Sequence, residues 1–166
     1  TTAELNELIY QSALRAKSSY FDTADAVSKM GLNAKNAFSS NQELIAFTEQ
    51  VNKQFKIGGA SAQDQSNAMV QLTQAMAAGV LRGQDLNSIL AAAPGIARTI
   101  EESMGWASGS IKKYAEDGKV TAQVVKNALL DMADQTNAKF ESIPMTLSDA
   151  MTMGKNIVQH GVQDMA

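Results

Sequence analysis

The chain contains no cysteine. Disulfides, thiolate nucleophiles and Cys-ligated zinc are therefore excluded, although the redox compartment cannot be read from that absence. Proline occurs twice, histidine once, and aromatic residues fill only 5% of the 166 positions. Apolar runs are short, and none approaches the roughly eighteen residues that span a bilayer. A basic excess is also missing. The formal net charge is −3, and neither half of the chain, divided after Gly83, carries more basic than acidic residues. Those sums give no electrostatic footprint for nucleic acid. The N-terminal TTAELNELIY has no charged-then-apolar signal pattern. It also lacks Met, so the expectation is a segment of a longer chain.

What remains is ordinary for a globular protein: 45% hydrophobic and 19% charged residues. Alanine and methionine are frequent. Few aromatics with many Ala and Met suit helices packed closely together. No stretch sustains the period-two alternation of a half-buried strand, so the expected fold is all-α.

Helical periodicity and its punctuation can be followed along the chain. Leu5, Leu8, Ile9 and Leu14 fall near one face of a first helix. Asp22 to Met30 predicts a short second helix ended by Gly31. Ser40 and Glu43 resemble a capping box before Leu44, Phe47, Val51 and Phe55, and Gly58-Gly59 stops that helix. Ser61 and Asp64 open another through Ala68, Met69, Leu72, Ala75 and Met76, closed by Gly79. Leu86, Ile89, Leu90 and Ala93 form one face of a shorter helix. Pro94 disfavours helical geometry at Ala93 and suits the first turn of a new helix through Ile96, Ile100 and Met104. The two should meet at a corner.

Further on, Ser108 or Ser110 is expected to cap a helix through Ile111 and Tyr114, stopped by Asp117-Gly118. Thr121 is the N-cap of a helix through Val124, Ala128, Leu129 and Met132, extending to Ala138, with Val120 and Val125 placed as a hydrophobic staple. Pro144 breaks the chain. Thr146 and Asp149 then cap a last helix through Ala150, Met153 and Ile157. One continuous helix of this length would extend about 250 Å. The repeated stops instead predict a compact bundle of roughly seven to nine short and medium helices, residues 1–166 forming one helical domain.

Candidate chemistry is sparse. His160 is the lone histidine, with Asp164 four positions on, and an exposed His near a helix end is the favoured reading over a base or ligand. Adjacent acids at Glu101-Glu102 and Glu116-Asp117 diverge around a helix and form no dyad. Asp131 and Asp134 share a face and read as solvated surface rather than a cation site. Gly58-Gly59-Ala60-Ser61 precedes a helix but lacks the P-loop Lys and the dinucleotide spacing, so it reads as a connector. Trp106 follows Gly105 in a loop and is expected in the core rather than anchoring a partner. Met145, Met151, Met153 and Met165 cluster near the end; core packing is favoured there over partner binding. No catalytic, cofactor-binding or metal-ligating residue is assigned, and the expectation is not an enzyme.

Two runs together carry a family likeness: LTQAMAAGVLRGQDLNSILAAAPGIARTIEESMG, then IKKYAEDGKVTAQVVKNALLDMADQTNAKFESIPMTLSDAM. The succession is a Gln-Ala-Met helix, Gly83 before an acid, Ile89, and Pro94-Gly95-Ile96-Ala97. Gly105, the Ala-Glu-Asp-Gly-Lys turn, Thr121, Ala138-Lys139-Phe140 and Pro144 follow. Their order and spacing resemble the N-terminal region of bacteriophage tail tape measure proteins. The likeness covers residues 61–153, with residues 1–58 as preceding N-terminal helices; Ala91-Ala92-Ala93 departs from a more polar approach to the proline.

The resemblance implies a structural protein that sets tail length in phages and prophages, lying in the tail lumen while tube subunits polymerise around it. It implies tube, tip and assembly chaperones as partners, or self-association, with some members assisting DNA entry. It places the chain in the virion tail, and in the host cytoplasm during assembly. Neither a small-molecule substrate nor specific nucleic-acid binding is expected. The competing readings are a generic helical adaptor that grips a partner helix and a peptidoglycan-degrading domain.

Overall fold

A computed structural model describes residues 1–165. Ten α-helices make up about three-quarters of it: α1 (Thr2–Arg15), α2 (Tyr20–Asn33), α3 (Asn41–Ile57), α4 (Ala62–Ala78), α5 (Gly83–Ala92), α6 (Gly95–Met104), α7 (Ile111–Glu116), α8 (Ala122–Asp131), α9 (Ala133–Glu141) and α10 (Leu147–Met165). A single 3₁₀ turn, Lys35–Ala37, joins α2 to α3. Among the described residues there is no strand, only an isolated antiparallel bridge between Val80 and Thr121.

The starts predicted at Ser40, Ser61 and Thr121 appear in the hydrogen bonds, whereas at α7 Ser110 makes no side-chain cap, its Oγ donating instead to the Ala107 carbonyl. Ser40 Oγ accepts from the Glu43 N–H, Ser61 Oγ from Asp64, and Thr121 Oγ1 from Val124, each satisfying an orphan donor of the first turn. Val120 and Val125 flank the Thr121 cap and are both fully buried. Gly79, Gly105 and Gly118 close helices at positive φ. Pro94 sits at the corner between α5 and α6, as its geometry requires.

Two boundaries and one cap partner differ from the sequence expectation. Helix α2 runs through Gly31 to Asn33: Gly31 keeps helical backbone, and a Cβ there would sit 3.4 Å from Leu44 Cδ2, at ordinary contact distance. The helix expected from Thr121 to Ala138 is two helices, α8 and α9, divided at Met132 (φ −96°, ψ 16°). Glu43 closes its capping box on the Ser39 N–H rather than on that of Ser40. The α8–α9 division is one reason the count exceeds nine.

Helix α3 is the axis of the bundle. It packs against α1, α2, α6, α8 and α9, and residues all around it are buried. Its apolar side chains Phe47, Val51 and Phe55 are inaccessible. Several of its polar ones are paired, as burial favours, whereas Gln50 donates through Nε2 to Asn137 and leaves its buried Oε1 without a partner. Glu49 binds Arg15 and Lys53 at 2.8 and 2.9 Å. Gln54 Nε2 donates to the hydroxyls of Thr99 and Thr136, tying α3 to α6 and α9.

Candidate interaction surface

Helix α10 is amphipathic in the reverse of the usual sense. Thr146 and Asp149 start it with a reciprocal cap, each backbone N–H donating to the other's side chain at 3.1 and 3.0 Å. The face it lays on the body is polar. Asp149 binds Lys56 of α3 at 2.8 Å. Asn156 Oδ1 accepts from the Tyr20 N–H at 2.8 Å, and its Nδ2 donates to the Ser18 carbonyl at 2.7 Å. His160 stacks on Tyr10, ring centroids 3.8 Å apart, with Nε2 2.6 Å from Glu7. Asp149 and Asn156 are the only buried residues of this helix.

The outward face carries Leu147, Met151, Ile157, Val158, Val162 and Met165, between 55 and 87% exposed. Helices of globular proteins ordinarily do the opposite, burying their apolar stripe. An exposed contiguous apolar patch marks an interaction site more often than an isolated apolar residue does. This overturns two expectations. Ile157 does not face the core, and Met145, Met151 and Met165 are exposed rather than core-filling; only Met153 is half-buried. The periodicity read through Ala150, Met153 and Ile157 finds the helix but not this face, which is centred on Leu147, Met151 and Val158.

The ionisable ties of this region hold their charge. The Glu7 carboxyl is held below its ordinary range by hydrogen bonds from Gln11 and then His160. At Asp149 burial pushes the pKa up, but the hydrogen bonds from Lys56 and the Thr146 N–H outweigh it and the net direction is down. Glu49 follows the same logic through Arg15 and Lys53.

The other residues weighed from the sequence are not brought together. His160 is half-buried against Tyr10, not simply exposed; Asp164 lies 3.5 Å from its Nδ1. Glu101 is buried and caps α7 by accepting from the Ile111 N–H at 3.0 Å, while Glu102 is exposed. Glu116, Asp117, Asp131 and Asp134 lie at the surface. Trp106 is partly buried, packed on the core and stacked on Tyr114 at 3.9 Å. Gly58 serves packing: a Cβ there would meet the Ala92 carbonyl oxygen at 2.6 Å. A groove of about 410 Å³ runs between α2, α4 and the start of α10. Of its charged side chains, Lys29 and Lys56 pair with Asp25 and Asp149, and Lys17 lies 5.1 Å from the Phe140 ring centre. Among the described residues no group of three or more His, Asp or Glu could hold a metal ion, and no helix is long and apolar enough to cross a membrane.

A family model described as tape measure protein matches residues 1–166. The chain belongs to the tape measure protein family. The match extends beyond residues 61–153 to include α1–α3. Membership makes this a structural component of a phage tail, in keeping with an all-helical bundle. No curated protein and no solved structure matches the chain significantly.

Proposed function

We propose that these residues form one folded domain that acts in tail assembly as a docking module, through contacts with other proteins of the tail. The tube, the tip and the assembly chaperones are its candidate partners; it works in the host cytoplasm during assembly and stays in the finished tail. In this reading it carries no catalytic centre and needs no cofactor. The observation that carries the reading is α10: polar ties fix the helix to the body while its apolar stripe faces out. A helix lacking a binding role gains nothing from that orientation, because the stripe would be more stable turned inward.

The test is a phage or prophage whose tape measure gene carries Met151→Glu, Val158→Glu and Val162→Glu together. These positions are exposed, so the bundle should fold unchanged. The expected outcome is loss of tails, or tails of irregular length, by electron microscopy. Normal tails from a normally folded variant would end the reading.

A further inference from the structure

We propose that the outward stripe of α10 is covered by the same stripe of a second copy of this chain, running antiparallel across a two-fold axis level with Asn156. This rests on the docking reading above and names the occupant. The stripe consists of Leu147, Met151, Gly154, Val158, Gly161 and Met165, at spacings of four, three, four, three and four. That is the a/d seam of a coiled coil. The spacing also reads the same in both directions. Reversing a second helix sets Leu147 opposite the second copy's Met165, Met151 opposite its Gly161, and Gly154 opposite its Val158. Apart from that terminal Leu–Met pair, each bulky side chain meets a glycine, which is how two surfaces interdigitate without voids. A parallel pair would instead stack glycine on glycine at 154 and at 161 and crowd Met151 against Met151.

The glycines supply an independent observation. Neither Gly154 nor Gly161 has positive φ, and a Cβ at either would meet nothing within 4 Å. The fold of one copy therefore does not require glycine there. Each glycine in a helix interior costs about 1 kcal/mol relative to alanine. Close approach of another helix accounts for both.

Area and placement agree with a stable pair. The six exposed apolar side chains of this face present on the order of 700 Å² per copy, near the ~800 Å² per partner of a standard interface. One like-charge pair falls beside the axis: Lys155 of each copy lies on the same flank, one residue from the axis, and its exposed chain splays its ammonium into solvent. The body of each chain sits on the Asp149–Asn156–His160 side of α10. The two bodies thus lie on opposite sides of the helix pair, and the contact is isologous and closed.

The test is the molar mass of the 166-residue chain by light scattering across 1–300 µM, beside Val158→Glu and paired cysteine variants. The expected result is a doubled mass for the wild type, and a single mass for Val158→Glu with unchanged circular dichroism. The chain has no native cysteine. An oxidised equimolar mixture of Gly154→Cys and Val158→Cys chains should give at least tenfold more mixed disulfide than either same-position disulfide. A monomer throughout that range, or dominant same-position disulfides, overturns the proposal. Two results separate it from the docking reading. If the wild type is monomeric yet Val158→Glu abolishes tails, the second copy is wrong and docking stands. If Val158→Glu loses the dimer but tails remain normal, self-association stands and the role in assembly falls.

Discussion

The Tyr20 backbone N–H donates to Asn156 Oδ1 at 2.8 Å, joining residues 136 positions apart. The same side chain donates to the Ser18 carbonyl. One amide thus completes two backbone groups at the α1–α2 corner, one of them an orphan donor of the first turn of α2.

Asn156→Ala leaves both groups buried without partners, at a cost of about 2–4 kcal/mol. In a chain of this length that lowers the melting temperature by roughly 5–12 °C in calorimetry. Lys155→Ala, one position away and exposed, should stay within about 0.5 kcal/mol of wild type. Equal melting temperatures for the two variants would show that Asn156 holds nothing.

Acid should loosen the α1–α3–α10 region. Glu49 and Asp149 both have folded pKa values below their ordinary 4.5 and 3.8. Their stabilisation is therefore complete above those ordinary values and is lost as the pH falls through the lowered ones. Urea unfolding between pH 7 and pH 2.5 should show stability declining below about pH 4.5. Asp149→Asn should reduce both the stability at pH 7 and the steepness of that decline.

Two glycines should respond to alanine in opposite directions. At Gly58 the new methyl would collide with the Ala92 carbonyl oxygen at 2.6 Å, a backbone atom that cannot swing away. Gly58→Ala should destabilise by about 2–3 kcal/mol in chemical denaturation. Gly83 opens α5 with open space around it and no positive φ. Gly83→Ala should be neutral or stabilising by up to about 1 kcal/mol.

Methionine oxidation should follow burial. Met145 is half exposed, whereas Met30 and Met76 are inaccessible. Under mild peroxide, peptide mass spectrometry should find Met145 converted early and Met30 and Met76 last. Met151 and Met165 then report on whether the α10 stripe is covered: protection beyond that of Met145 appears with concentration if a second copy sits there.

Much of the fold is legible in the sequence because its punctuation is local. A Ser or Thr cap acts within three residues, and Gly79, Gly105 and Gly118 stop helices through their own φ. The break at Met132 carries no glycine or proline and escapes such a reading. Gly31 misleads for the opposite reason: it takes no positive φ, and α2 continues two residues past it. The interaction surface is hidden more deeply. Period arguments place Ala150, Met153 and Ile157 on an inward face, on the premise that apolar side chains turn to the core. In α10 that premise fails, since Asp149, Asn156 and His160 find partners on α3, at the α1–α2 corner and on α1 that only the tertiary fold supplies.

Polar anchoring gives α10 a mechanical character unlike that of the other nine helices. Pulled from its Met165 end, it would let go in sequence, first at Tyr10 and Glu7, then at Tyr20 and Ser18, last at Lys56. Water can replace the hydrogen bonds and the ion pair as they break, though not the His160–Tyr10 stack. The packing around Phe47, Val51 and Phe55 takes no part in that attachment, so the strap can unzip under load while the body behind it keeps its shape.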